Sequence, residues 1–93
     1  MPYIAPKDRE YWNEKMKSFL EGVNSDTPKG HLNYMICMLY IKAVGTKKNY
    51  NHMSECRAAL IDAWDEIGDM VMRPYEDVKR KQSGDLPWPK VEG

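Results

Sequence analysis

The feature that most constrains this fold is a long helical pattern that runs into a proline. Its apolar residues recur at spacings of three and four over five turns, at Met53, Cys56, Leu60, Ala63, Trp64, Ile67 and Val71. In a regular helix the ring of Pro74 removes one backbone hydrogen bond and clashes with the carbonyl of Met70, at a cost of about 3 kcal/mol. The pattern predicts a helix over 52–73, capped near Asn51, that bends or breaks at the proline. A short fourth helix is predicted over 75–83.

Two further helices are predicted ahead of it. The first covers 7–21, because one apolar stripe repeats there at helical spacing, at Trp12, Met16, Phe19, Leu20 and Val23. The second covers 28–44, with Thr27 as its expected N-cap and Gly45 as its C-terminal stop. Apolar residues surround the second helix almost completely. It is therefore expected at the centre of the molecule or at an interface between copies.

These elements predict an all-α fold, a small bundle of three main helices with a proline-broken third helix, the short fourth helix and an extended C-terminal arm over 84–93. We expect one helical domain over 1–93 with a thin core, since a chain of this size buries only about 60 % of its unfolded surface. Three Trp, six Tyr and seven Met are many large apolar side chains for so small a body. We therefore expect a homo-oligomer.

The charge balance and the positions of the cysteines argue against several classes of partner and location. Fourteen basic and fourteen acidic residues balance, so no global field attracts DNA, RNA or an anionic membrane, and we expect none of these as a partner. The start of the chain lacks the apolar segment of a secretion signal, and no apolar run is long enough for a membrane span. Cys37 and Cys56 fall within helical patterns, which indicates reduced thiols and predicts a cytoplasmic protein.

One candidate for chemistry is an acidic helix face. Four carboxylates share it at i, i+3, i+4 and i+7: Asp62, Asp65, Glu66 and Asp69. This spacing can hold Mg²⁺, and Glu66 and Asp69 form an E-x-x-D pair similar to that of all-helical nucleotide pyrophosphatases of the MazG kind. Those enzymes have a second carboxylate pair on a preceding helix, whereas the second helix here has no Asp or Glu. A solvated face is the favoured interpretation, a Mg²⁺-dependent hydrolase is the minor alternative, and we expect no catalytic residue, metal or cofactor.

The second candidate combines basic and aromatic residues. Lys42, Tyr50 and Arg57 lie near the loop between the second and third helices. Ammonium and guanidinium groups hold phosphates, and a tyrosine ring stacks on a base. Arg73 and Tyr75 form a similar pair at the proline. The alternative interpretation is a solvated lysine-rich loop and an ordinary charge pattern at a helix end.

Asn33 and Tyr34 place an amide and a phenol inside the apolar second helix. Such groups need hydrogen-bond partners when they are buried. A structural pairing is the plainer interpretation, and a ligand contact at an interface between copies is the more specific one.

Four segments together carry a resemblance. The chain starts with MPYI, has LNYMI at 32–36, a tyrosine-rich turn at Tyr50 and PYEDVKRKQSGD at 74–85. In this combination it resembles a family of small, uncharacterised, phage-encoded helical proteins that begin MPYI, carry an LNY-x-I helix and end near PYE-x-x-K followed by NGD. This chain departs from that pattern at 68–70, where Gly, Asp and Met replace an aromatic residue and an arginine pair. The role of that pair is therefore not transferred to this chain.

The resemblance implies a phage accessory protein in the cytoplasm of an infected bacterium. In size, helical character and Tyr, Arg and Lys content the chain is similar to nucleotide sponges, which sequester cyclic oligonucleotide or cyclic ADP-ribose signals of bacterial immunity. We therefore expect a non-enzymatic anti-defence protein that binds a small nucleotide. Its expected ligand-binding residues are Asn33, Tyr34, Lys42, Tyr50, Arg57, Arg73 and Tyr75. The alternative is a protein-binding inhibitor of a host enzyme.

Overall fold

The computed structural model describes residues 2–89, which are all-α, as predicted. Helix α1 spans Pro6–Glu21, α2 spans Lys29–Val44, α3 spans Tyr50–Ile67 and α4 spans Arg73–Ser83. A π-helical turn, Gly68–Met72, joins α3 to α4. Of the expected C-terminal arm, residues 84–89 have no regular secondary structure and 90–93 lie outside the described residues.

The helix continues through Pro74 without a break. Residues 50–83 are helical throughout, so the expected third and fourth helices form one rod. The N–H of Arg73 donates to the carbonyl oxygen of Gly68, five residues back, which is the π-helical spacing. This wider turn accommodates one extra residue ahead of the proline, at the place where a regular helix would set the carbonyl of Met70 against the ring. The π turn thus relieves the clash that a regular helix would have at this position.

Local hydrogen bonds set the ends of α2 and α3. Gly45 ends α2 with a φ of 57°, a backbone conformation that a residue without a Cβ adopts freely, as expected. The N-cap of α3 is Asn49 rather than Asn51, because the Asn49 side chain accepts a hydrogen bond from the N–H of His52 at 2.9 Å. Two asparagines stand near this helix start, and the backbone geometry selects the first.

Backbone packing between separate helices is confined to α2 against α3 in the described chain. The hydroxyl of Tyr40 donates to the carbonyl oxygen of Met53 at 3.2 Å, and Nε2 of His52 lies 3.2 Å from the carbonyl oxygen of Val44. Val44, 8 % exposed, is the one buried residue among residues 2–89. Helix α1 extends away from this pair, and the radius of gyration is 17.8 Å, against about 12 Å for a compact domain of this length.

The N-terminal segment is held to α3 by a hydrogen bond. The hydroxyl of Tyr3 donates to Oε1 of Glu66 at 2.5 Å. This bond, followed by desolvation and the negative charge of Glu66, raises the pKa of Tyr3 above its ordinary value of 10.0. Among residues 2–89, no helix is long and apolar enough to cross a membrane.

We predict that this N-terminal contact is lost at high pH. Because the pKa of Tyr3 is raised in the folded protein, the neutral hydroxyl is the favoured form; the contact is present at neutral pH and is lost as pH rises through the folded-state pKa. Glu66→Gln should lower the pKa of Tyr3 toward 10.0, measured by NMR titration of labelled tyrosine rings. Asp62→Asn is the matched control. An unchanged Tyr3 titration in Glu66→Gln would show that the contact does not form.

We predict that Asn49→Ala destabilises the protein by about 1 kcal/mol, the usual cost of losing an N-cap side chain. The reason is the bond from the N–H of His52. Asn51→Ala, inside the first turn, is the control and should cost much less. Urea unfolding followed by circular dichroism at one fixed chain concentration compares the two, and equal losses would contradict the cap assignment.

Candidate functional site

Three of the predicted binding residues are exposed but do not form one group. Lys42 stands two residues after Tyr40, whose hydroxyl contacts α3, so it lies about 200° around α2, on the side away from α3. Tyr50 is the first residue of α3 and is 79 % exposed, and Arg57 is exposed further along the same helix. Within residues 2–89, none of the three has an ion pair or a side-chain hydrogen bond. One chain therefore leaves these groups free and separate.

The ring of His52, close to this loop, has a structural role. Its Nε2 lies 3.3 Å from the carbonyl oxygen of Ala43 and 3.2 Å from that of Val44, at the C-terminal end of α2. A ring N–H can satisfy these terminal carbonyls, which have no partner inside their own helix. The imidazole thus joins the end of α2 to the start of α3.

Asn33 and Tyr34 are exposed on α2, so neither has the buried polar group that would require a partner. Oδ1 of Asn33 accepts a weak hydrogen bond from Sγ of Cys37, one turn later, at 3.6 Å. Tyr34 lines a groove of about 490 Å³ between the end of α1 and the start of α2. The residues of this first groove are Phe19, Gly22, Val23, Thr27, His31, Tyr34 and Met35.

Thr27 belongs to the loop beside this first groove and does not cap α2. Its Oγ1 accepts a hydrogen bond from the N–H of Asn24 at 3.0 Å, and the residue before the first turn of α2 is Pro28. The N-cap position is therefore Pro28, one residue after the expected Thr27, because the threonine side chain closes the preceding turn. The loop holds the two walls of the first groove together.

A second groove, of about 360 Å³, lies at the π turn. Its lining residues are Trp64, Asp65, Ile67, Gly68, Met72, Arg73 and Glu76. The indole of Trp64 is 74 % exposed, and the guanidinium of Arg73 forms an ion pair with Oδ1 of Asp69 at 2.8 Å. That pair is solvent-exposed, and exposed pairs of this kind contribute at most about 1 kcal/mol. An exposed aromatic ring and a weakly paired cation thus line the same groove.

The π turn explains why these two residues meet. Residues nine apart in a regular α-helix, such as Trp64 and Arg73, lie on opposite faces, about 180° apart. The π turn contains one residue more than a regular helical turn. Arg73 therefore has the angular position around the helix axis that the eighth residue after Trp64 would have in a regular helix, about 80° from Trp64. By the same shift Glu76 comes to within about 20° of Trp64. The adjustment that accommodates Pro74 therefore creates the groove.

The remaining predicted residue, Tyr75, lies beside this groove rather than in it. Nζ of Lys79 stands 5.6 Å from the centroid of its ring, an arrangement in which the ring face attracts the cation. Among residues 2–89, no hydrogen bond or ion pair joins any two of the seven predicted residues, and the two grooves contain one of them each, Tyr34 and Arg73. The structure brings Arg73 together with Trp64 instead.

The acidic face is divided among other contacts. Glu66 accepts the hydrogen bond from Tyr3, and Asp69 pairs with Arg73. Within residues 2–89, no three His, Cys, Asp or Glu side chains are grouped closely enough to hold a metal ion.

Comparison with known proteins identifies a family. The family described as Domain of unknown function (DUF6899) matches residues 1–86. The chain belongs to this family. The matched range includes both grooves and the π turn, so these features lie within the family's domain. No curated protein and no solved structure shows a significant match to the chain.

Sequence reasoning missed Trp64 as a site residue. It lies in the apolar stripe of α3, where a tryptophan normally packs into the core, and nothing in the stripe marks it as exposed. The signal that could have found it is Pro74. A proline late in a long helix disturbs the helix before it, and where a π turn accommodates the proline, the change of register moves each later side chain around the helix.

Proposed function

We propose that this protein captures a phosphate-bearing nucleotide in the groove at the π turn and holds it without cleaving it. The observation that supports this is the exposed indole of Trp64 beside the guanidinium of Arg73. An indole face stacks on a nucleobase, and a guanidinium binds phosphate oxygens through two parallel hydrogen bonds. These two groups supply the two contacts common to nucleotide recognition.

The rest of the groove suits the same ligand. Ile67 and Met72 provide apolar surface beside the indole, and the carboxylates of Asp65 and Glu76 can accept hydrogen bonds from ribose hydroxyls or base amino groups. The volume of about 360 Å³ lies within the usual range for small-molecule sites. A ligand phosphate would replace Asp69 as the partner of Arg73, and losing that exposed pair costs little.

The wider proposal is an anti-defence role. The resemblance to phage-encoded proteins supports a phage accessory protein that sequesters a cyclic oligonucleotide or a cyclic ADP-ribose signal in the cytoplasm of the bacterial host. Lys42, Tyr50 and Arg57 belong to this proposal as further exposed contacts for a large, multiply charged ligand. Asn33, Tyr34 and Tyr75 are likewise exposed in a single chain, and Asn33 and Tyr34 belong to this proposal as ligand contacts at an interface between copies.

A second candidate function is a protein-binding inhibitor of a host enzyme. The observation that favours it is the exposure of two large side chains that do not line the groove, Trp12 on α1 and Trp88 in the C-terminal segment. Tryptophan is among the residues that dominate the binding energy of protein interfaces. In this alternative the groove residues contribute nothing to binding.

We predict that the purified protein retains one nucleotide from a panel of cyclic dinucleotides, cyclic trinucleotides and cyclic ADP-ribose isomers. The filtrate is analysed by chromatography, and the retained fraction is denatured and its ligand identified. Trp64→Ala and Arg73→Ala should each weaken retention about fivefold or more, since one stacked base or one charged pair contributes roughly 1–3 kcal/mol. Asp69→Asn should strengthen retention, because it frees the guanidinium of Arg73.

Arg80→Ala is the matched control, since it removes the same side-chain type from the same helix outside the groove. Passage of every nucleotide through the filter would overturn the proposal and favour the protein-binding alternative. Recovery of a cleaved nucleotide, with activity lost in Asp65→Asn and Glu66→Gln, would instead identify a hydrolase. Equal weakening by Arg73→Ala and Arg80→Ala would show that the ligand responds only to overall charge.

A further inference from the structure

A single chain leaves much of the apolar surface of α1 and α2 exposed to solvent. On α1 the exposed side chains form one stripe, Trp12, Met16, Phe19 and Leu20. On α2 they are Tyr34, Ile36, Met38, Leu39 and Ile41, which stay exposed although α2 packs against α3. Leu39 is 63 % exposed. Contiguous apolar surface on this scale marks an interaction face.

The surface that one chain leaves exposed is larger than an obligate interface needs. The chain exposes 8989 Å², whereas a compact protein of 10.9 kDa exposes about 5,600 Å². The excess is about 3,400 Å² per chain. Obligate homodimers bury about 1,000–2,500 Å² on each copy. The surface that this chain leaves open is therefore enough for a large, permanent contact.

The described chain also lacks the core that independent folding requires. Within residues 2–89, Val44 is the one buried residue. Helix α1 does not pack against any of the other helices of the described chain at backbone distance. Ordering a backbone has a large entropic cost, which burial of apolar surface must offset. Since one chain buries so little, association has to supply the missing burial.

The charge pattern fits a second copy better than a charged partner. Between Lys29 and Lys42 the α2 helix has no acidic or basic residue other than His31, and depletion of charge is the mark of an interface centre. The net charge of zero means that two copies do not repel one another as whole molecules. A two-fold contact would place this uncharged helix against the same helix of the partner.

We infer that the exposed faces of α1 and α2 are closed by a second copy of this chain, and that folding and association occur together. Two copies joined through α2 bring the α1 stripe of each against apolar surface of the other. Interfaces of this kind resemble a domain core divided between two chains. This inference does not depend on the proposed nucleotide groove, which lies at the π turn and is lined by residues of α3, the π turn and α4 only.

We predict a concentration-dependent assembly. Sedimentation equilibrium should give a mass of at least two chains of 10.9 kDa, and the midpoint of thermal unfolding should rise with chain concentration. Dilution of the unmodified protein should reduce the mass and the helical circular dichroism signal together. This measurement needs no variant, so it tests the inference even if substitutions prevent folding.

Substitutions then locate the interface. Leu39→Asp and Phe19→Asp each place a charge in the apolar faces and should lower the mass toward one chain, with loss of helical signal at the same concentration. Glu14→Gln, on the opposite side of α1 from the stripe, is the matched control and should leave mass and helicity unchanged.

Two outcomes would overturn the inference. One is a single-chain mass with full helicity and an unfolding midpoint that does not change with concentration. The other is a single-chain mass whose helicity rises only with neutral lipid vesicles, which would assign the faces to a lipid surface. A full-size assembly that retains no nucleotide would reject the proposed function alone, and a single-chain protein that retains one would reject this inference alone.

Discussion

The missing N–H of Pro74 is the constraint on which the second half of this molecule depends. A regular helix cannot place a proline there without losing a hydrogen bond and meeting the carbonyl one turn back. The chain resolves this with the π turn Gly68–Met72, so that 50–83 remains one helical rod. The same adjustment brings Arg73 round toward Trp64. One backbone requirement thus explains both the continuous helix and the groove beside it.

In the first half of the molecule, very few side chains are buried within a single chain. Tyr40 and His52 join α2 to α3 through carbonyl oxygens, and around them only Val44 is buried in the described chain. Hydrogen bonds of this kind fix how two helices meet, but each adds only about 1 kcal/mol net. The driving force for folding must come from apolar burial. In this chain the apolar surface available for that burial faces outward on α1 and α2.

Local signals predicted the helices well. Apolar spacing located all three main helices, and Gly45 and Gly84, both with positive φ, end α2 and α4 as glycines commonly do. Patterns of this type depend on neighbours in the chain, which the sequence displays directly. The N-cap at Asn49 was harder to predict, because both Asn49 and Asn51 are suitable cap residues. Which of them caps the helix depends on the path of the preceding loop.

The sequence by itself determined the all-α class, the helix positions and the need for an adjustment at Pro74, since periodicity and backbone chemistry are local. The tertiary structure alone decided how that adjustment is made and which side chains share a groove. Sequence reasoning expected a bend or a break at the proline and grouped residues that are near in the chain, such as Lys42 and Arg57. Each residue turns a helix by about 100°, so one extra residue in a π turn redirects every later side chain. The direction of a side chain therefore depends on exact register, which composition and spacing do not specify.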